Sequence, residues 1–170
     1  LEHGREFFDA ASAERLEGVV AKKRDSHYVG RRSRDWLKIK CQLRQEFVIG
    51  GATAPQGSRA HFGALHLGLY ETGRLVYVSK VGTGFDERML ALIAEKLRPL
   101  ARATSPFDVG TPTGRGHRWV EPRLVCEVRF TEWTADGGIR HPAFLGLRDD
   151  KRPEECRRPR LTHPRRTDPR

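Results

Sequence analysis

Hydrophobic and polar residues alternate along several short segments, and this period of two is typical of half-buried strands. In "DWLKIKC" (35–41), the apolar positions alternate with Trp36, Lys38 and Lys40, so that one face is apolar and the other cationic. A β-branched run predicts another strand at 17–23, segments separated by turn residues predict strands at 46–53, 62–70 and 74–81, and a clean alternation predicts one at 124–133. The chain is therefore predicted to be mainly β.

Two segments have helical spacing instead. "GREFFDAASAERL" (4–16) places Phe7, Phe8 and Ala11 on one side of a short helix. "DERMLALIAEKLRPL" (86–100) carries apolar residues at helical intervals and is closed by Pro99. Several short strands with one strong helix among them predict an α+β, mainly β fold: a five-stranded OB-type barrel with one helix.

The composition changes again in the last part of the sequence. Residues 152–170 contain four prolines and seven arginines with few apolar residues. Such a segment buries too little apolar surface to offset the entropy of ordering, so we predict a basic, disordered tail there. The barrel domain is predicted to occupy residues 43–151.

Charge is the strongest compositional signal. The formal net charge is +10, the pI is near 10.1, and 25 of the 32 basic residues are arginine. Arginine suits phosphate oxygens, so an anionic polymer is the expected partner. The loop bearing Arg31, Arg32 and Arg34 is a candidate DNA-backbone contact, although a solvated basic loop has the same pattern.

Cysteine usage and hydropathy argue against a disulfide-bonded protein, a cysteine metal site and a membrane-spanning protein. Cys41, Cys126 and Cys156 form an odd set without metal-ligand spacing, which favours a reducing cytoplasm. Cys41 and Cys126 lie in apolar alternations and are predicted to be small core residues. No apolar run approaches the ~18 residues of a membrane span, so we expect no membrane partner.

Three charged residues suggest phosphate chemistry. Lys38 and Lys40 point the same way on a strand, with Cα atoms roughly 6.6 Å apart, so an anion between them would relieve their repulsion. An antiparallel return of 17–22 beside 35–41 would bring Glu17 near them, and Mg²⁺ on a nucleotide takes one or two carboxylates. An ordinary exposed strand face with a solvated acid is the alternative.

Several motifs resemble those of a known superfamily. "EGVVAK" (17–22), "WLKIK" (36–40) and "RHPAFLGLRDDK" (140–151) resemble the fourth, fifth and last motifs of the covalent nucleotidyltransferases. "SHYVGRRSRDW", "VGTGF" and "RHPAFLGLR" are most similar to bacterial ATP-dependent DNA ligases, in particular the ligase domain of the end-joining enzyme ligase D. The resemblance implies that residues 1–42 are the last part of an adenylation domain, followed by the OB-fold domain.

The resemblance also implies an activity and its residues. The family seals nicked or broken duplex DNA with ATP and Mg²⁺ or Mn²⁺, in repair and non-homologous end joining, and we expect a cytoplasmic, nucleoid-associated enzyme. The implied roles are Glu17 for the metal, Lys38 and Lys40 for the α-phosphate, Lys22 beside them in the nucleotide site, and Arg148, Asp150 and Lys151 for the β- and γ-phosphates.

One element of the family pattern is not found among the 170 residues. The family's nucleophile is the lysine of an upstream K-x-D-G motif, and the nearest string here, "TADG" (134–137), has threonine in its place and is typical of a turn. We therefore expect that the chain alone cannot form the covalent adenylate and that an N-terminal adenylation segment acts with it in cis or in trans. The alternative is a non-catalytic OB-fold module that binds DNA or docks a partner; an RNA ligase or capping enzyme fits the additional stretches less well.

Overall fold

The computed structural model describes residues 3–14, 16–31, 33–55, 57 and 60–159. Within these residues the chain forms ten strands, two α-helices and two short 3-10 helices. In chain order these are α1 (Gly4–Ala13), β1 (Gly18–Lys22), β2 (Trp36–Lys40), β3 (Leu43–Thr53), β4 (Leu65–Glu71), β5 (Arg74–Val81), α2 (Glu87–Leu97), a 3-10 helix (Arg98–Leu100), β6 (Ala101–Arg102), β7 (His117–Phe130), β8 (Glu132–Trp133), β9 (Ile139–Arg140), β10 (Ala143–Leu147) and a 3-10 helix (Pro153–Glu155).

The strands divide into one large sheet and two small ones. The large sheet has the order β10-β7-β3-β4-β5, with β6 added beside β7, and all of its strand pairs are antiparallel. Strands β1 and β2 form a separate hairpin, and β8 pairs with β9. The predicted mainly β fold with an OB-type barrel is confirmed.

The ends of the large sheet approach each other through a short turn after β5. The Phe144 amide donates to the Thr83 carbonyl at 2.9 Å, and the Thr83 hydroxyl donates to the Pro142 carbonyl at 3.1 Å. Gly84 has a φ of +92°, and a Cβ there would lie 2.8 Å from the Phe144 nitrogen. Gly84, the second glycine of "VGTGF", therefore lets the segment after β5 approach β10, so that the two edges of the sheet close into a barrel.

Helix α2 packs on the barrel as its spacing predicts. The Asp86 carboxylate caps it by accepting from the Met89 amide at 2.7 Å. Leu90, Ile93 and Leu97 are buried on the inner face, and the helix passes into the 3-10 turn that contains Pro99. None of the helices in the described ranges is long and apolar enough to cross a membrane.

Strand β7 is longer than the sequence pattern predicted. Strand β7 starts at His117, whereas the alternation predicted a strand only from residue 124. Its first residues pair with the end of β3, although Glu121 and Pro122 interrupt the alternation of apolar residues. Backbone pairing with β3, rather than the side-chain pattern, extends the strand.

The beginning of the expected tail is ordered, which corrects the prediction of disorder for its first residues. Cys156 is 2% exposed and lies in the core, and its carbonyl accepts from the Tyr70 amide at 2.8 Å. Arg158 donates from Nε to Glu71 at 2.6 Å. Composition does not reveal this order, because backbone bonds and one cysteine hold the segment. Residues 160–170, for which the tail was also predicted, lie outside the described residues.

Candidate functional site

The β1–β2 hairpin places the predicted lysines on one face. In the antiparallel register Gly18 lies opposite Lys40, Val20 opposite Lys38, and Lys22 opposite Trp36. Because alternate residues of a strand share a face, Lys22, Lys38 and Lys40 project to the same side of the hairpin. The antiparallel return predicted from the sequence is therefore present.

Glu17 and Lys38 are in direct contact across this hairpin. Nζ of Lys38 donates to Oε1 of Glu17 at 2.5 Å, and both side chains are at least half exposed. This hydrogen bond, with the charges of Lys38 and then Lys40, lowers the pKa of the Glu17 carboxyl, so the residue is a carboxylate at neutral pH. The Glu17 carbonyl also accepts from the Cys41 amide at 3.1 Å, which fixes the backbone where β2 ends.

Lys22 is held by an aromatic ring. Its Nζ lies 4.1 Å from the centroid of the Trp36 ring, its cross-strand neighbour. Trp36 is itself oriented by a hydrogen bond from Nε1 to the Ser26 hydroxyl at 3.0 Å and by the Tyr28 ring at 5.3 Å. The loop between the strands thus supports one end of the lysine face.

The basic part of this loop is solvent-facing where it is described. Arg31 and Arg34 are exposed, and no ion pair to either is found among the described residues. The Arg31 amide donates to the Val29 carbonyl at 2.7 Å, which makes a tight turn. Arg32, the third arginine of the predicted DNA-backbone contact, lies outside the described residues.

A cavity of about 440 Å³ lies between the hairpin and the barrel. Glu17 and Lys40 line it from the hairpin side, and the β8–β9 segment closes the other side. The barrel contributes Thr131, Glu132, Trp133, Arg140 and His141 to its wall. Of the four predicted hairpin residues, Glu17 and Lys40 therefore share one concavity, Lys38 bonds to Glu17, and Lys22 lies over Trp36 instead.

The R-x-D-K residues form a second cluster, on the barrel. Nε and Nη2 of Arg148 each donate to a carboxylate oxygen of Asp150 at 2.8 Å. Nη1 donates to Oε1 of Glu46 at 3.1 Å and lies 3.8 Å from Oε2 of Glu127. The fork from Arg148 lowers the pKa of Asp150 to about 2, and Asp150 in turn raises the pKa of Arg148.

The structure does not bring the two clusters into contact. Among the described residues, no hydrogen bond, ion pair or shared cavity joins Arg148, Asp150 or Lys151 to the hairpin. Lys151 is exposed and has no ion-pair partner within the described ranges. The predicted site residues thus form two groups on separate elements rather than one pocket.

Other candidates from the sequence have structural explanations. "TADG" is a turn, closed by the Gly137 amide on the Thr134 carbonyl at 3.0 Å. Cys41 and Cys126 are buried, as expected of small core residues, and burial strongly raises the pKa of the Cys126 thiol. Within the described part of the chain, no group of three or more metal-ligating side chains is assembled.

Comparison with known protein families agrees with this arrangement. The family model of the ATP dependent DNA ligase C terminal region matches residues 58–151, and that of the ATP dependent DNA ligase domain matches residues 1–40. This chain belongs to the ATP-dependent DNA ligase family. In this ligase chain, the first match contains Arg148, Asp150 and Lys151, and the second contains the β1–β2 hairpin.

Individual ligases are similar over most of the chain. The multifunctional non-homologous end joining protein LigD of Pseudomonas aeruginosa is 49% identical over 88% of this chain, which spans 18% of that relative. The crystal structure of the ligase domain from M. tuberculosis LigD is 44% identical, with a TM-score of 0.67, and the match covers 92% of this chain and 52% of that one. A mycobacterial DNA ligase D complexed with ATP and MES is 43% identical, with a TM-score of 0.64 and coverage of 92% and 51%.

Sequence reasoning missed the residues that surround two of the ligase motifs. Glu46 and Glu127 are opposite each other on β3 and β7, and the sequence contains no local signal of that register. Gly18 stands out in the sequence only as part of "EGVVAK", yet a Cβ there would collide with the backbone of β2. Both features depend on how strands meet, which short-range patterns do not encode.

Proposed function

We propose that this chain is the C-terminal portion of an ATP-dependent DNA ligase that joins nicked or broken duplex DNA in repair and end joining. The observation that carries the proposal is the hairpin on which Glu17 contacts Lys38 and shares a cavity with Lys40. The relatives named as end-joining proteins support the same assignment.

ATP is the proposed nucleotide, and Lys38 and Lys40 are its proposed α-phosphate ligands. Both ammonium groups project from one face of β2, beside Lys22, and none of the three is buried. Ammonium groups held in this way stabilise negative charge that develops on a transferring phosphoryl group. Lys22 is proposed to line the nucleotide side of the same face.

Mg²⁺ or Mn²⁺ is the proposed metal, with Glu17 as its protein ligand. The Glu17 side chain is 70% exposed and ionised, and Mg²⁺ commonly binds one or two carboxylates together with substrate phosphates and water. The donor set of the hairpin therefore fits such an ion. When bound, ATP supplies the adenylate and the metal neutralises charge on its phosphates.

The residues of the R-x-D-K cluster are proposed to orient the β- and γ-phosphates. Lys151 is exposed, whereas Arg148 is engaged by three carboxylates. We also propose that residues 1–42 form the end of the adenylation domain and residues 43–151 the OB-fold domain. Movement between these two parts would bring the R-x-D-K residues to a nucleotide on the hairpin.

The nucleophilic lysine is proposed to come from outside these residues. No K-x-D-G motif occurs in the sequence, so an adenylation segment that carries one must act in cis or in trans. DNA is the proposed polymer substrate, contacted in part by Arg31, Arg32 and Arg34, and the net charge of +10 favours its phosphate backbone. We place the enzyme in the cytoplasm, at the nucleoid.

The test is to join the chain to an upstream ligase segment that carries the K-x-D-G motif; we refer to the product as the restored enzyme. The restored enzyme should become labelled by ATP carrying a label on its α-phosphate and should seal a nicked duplex, whereas the chain alone should do neither. A covalent AMP adduct on the chain alone would contradict the assignment of the nucleophile. A restored enzyme that binds nicked DNA without sealing it would favour the non-catalytic OB-fold module.

A further inference from the structure

Two carboxylates face each other in the barrel wall where a like-charge pair is unfavourable. Glu46 on β3 lies directly opposite Glu127 on β7, and their side chains are only 30% and 26% exposed. Like charges opposite each other on neighbouring strands destabilise a sheet. Partial burial increases the repulsion because less water screens it. A cation placed between Glu46 and Glu127 would offset this repulsion.

Arg148 supplies that cation. Its Nη1 donates to Glu46 at 3.1 Å and approaches Glu127 at 3.8 Å, while its remaining edge forms the fork with Asp150. The Arg148 amide also donates to the Val125 carbonyl at 2.8 Å, which fixes the base of the side chain on β7. Three carboxylates thus hold one guanidinium through both of its edges.

An arginine held in this way is not free to bind phosphate. All three nitrogens of its guanidinium are directed at carboxylate oxygens. A triphosphate must therefore compete with Glu46 and Glu127 for Nη1. The apparent affinity equals the intrinsic affinity multiplied by the fraction of molecules in which the arginine is available. Asp150 belongs to the R-x-D-K motif itself, but the two glutamates come from distant parts of the chain.

We propose that Glu46 and Glu127 are positioning residues that hold Arg148 in a resting position and thereby set the affinity of the ligase for ATP. This inference rests on the proposed function, in which the R-x-D-K residues orient the β- and γ-phosphates. When the nucleophilic lysine attacks the α-phosphorus of ATP, the bond to the β-phosphate breaks and the β- and γ-phosphates leave as pyrophosphate. The two glutamates therefore act on adenylation and not on the sealing of a nick that already carries adenylate.

The test compares these two steps in the restored enzyme with both glutamates changed to glutamine. Glu46→Gln with Glu127→Gln removes the competing charges but keeps the shapes of the side chains. The KM for ATP in self-adenylation should fall by about two- to fivefold, the range expected for losing partly exposed ion pairs. The rate of sealing a pre-adenylated nick should stay within about twofold of the unchanged enzyme.

A matched control is Glu121→Gln, which removes a carboxylate from the same strand. Glu121 pairs with Arg102 at 3.6 Å, away from Arg148, so its loss should leave the KM for ATP unchanged. A KM for ATP that is unchanged or raised in the double variant would overturn the inference. A change of the same size in self-adenylation and in the sealing of a pre-adenylated nick would overturn it too. If the double variant unfolds, Glu127→Gln alone, which breaks the longer contact, should still lower the KM. A restored enzyme without adenylation activity would instead refute the proposed function.

Discussion

Gly18 lies directly opposite Lys40 in the β1–β2 hairpin, and a Cβ at position 18 would stand 2.8 Å from the Cα of Lys40. That Cβ would also collide with the carbonyl oxygen of Ile39. The two strands can approach each other at this point only because residue 18 has no side chain. The placement of Lys40 beside the cavity is therefore determined by its partner strand as much as by its own.

Gly18→Ala should open the hairpin. Because both atoms in the way belong to the backbone, the strands must separate, at a cost of about 1–3 kcal/mol. Amide hydrogen exchange should become faster at Cys41, whose amide donates to the Glu17 carbonyl. The control is Gly30→Ala in the connecting loop, where a Cβ would meet no atom within 4 Å. Equal exchange in the two variants would show that the close approach is unimportant.

The fork between Arg148 and Asp150 should be visible in a titration. Asp150 has its pKa lowered to about 2 chiefly by the Arg148 hydrogen bonds, so Arg148→Gln should return the pKa toward the ordinary value for aspartate. The fork contributes stability that is fully present above that ordinary value and is lost as the pH falls through about 2. Carbon NMR of the Asp150 carboxyl group measures this directly. An unchanged midpoint in the variant would show that Arg148 does not cause the low pKa.

Binding of nicked duplex DNA should depend strongly on salt. Each phosphate contact adds about −0.9 to the slope of log affinity against log salt, so Arg31→Gln with Arg34→Gln should make the slope shallower by about 1.8. Fluorescence anisotropy at several salt concentrations gives the slope. The matched control is Arg5→Gln with Arg88→Gln, which removes equal charge from the exposed faces of α1 and α2. The same slope in both double variants would mean that the loop makes no specific phosphate contacts.

Local patterns in the sequence were sufficient for some elements of this fold but not for the short strands β6, β9 and β10. Alternation located β2, and the spacing of Leu90, Ile93 and Leu97 located α2, because each pattern reports which side of one element meets the core. The hairpin pairing was also anticipated, since the basic loop 23–35 joins a β-branched segment to an alternating one and lets the chain return antiparallel. The motifs then placed Glu17, Lys38 and Lys40 on that hairpin.

Contacts between distant segments could not be predicted in this way. The opposition of Glu46 and Glu127 depends on the register of β3 against β7, so the motif alone presents Arg148 as a free phosphate ligand. The order of residues 152–159 rests on backbone bonds to β4 and on burial of Cys156, which composition does not report. Tertiary pairing, rather than local propensity, decides these features.

The central claim is that Lys38 binds the phosphate of the adenylate, with Glu17 beside it. The most direct measurement is the single-turnover rate at which the restored enzyme seals a pre-adenylated nick after Lys38→Gln. In this step the 3′-hydroxyl attacks the 5′-phosphate and AMP leaves, so removing one preorganised donor from the adenylate phosphate, where negative charge develops, should slow sealing by about 10²–10³-fold. Lys23→Gln, which removes an exposed lysine at the end of the same hairpin, should leave the rate within about twofold. Equal rates in the two variants would contradict this role of Lys38.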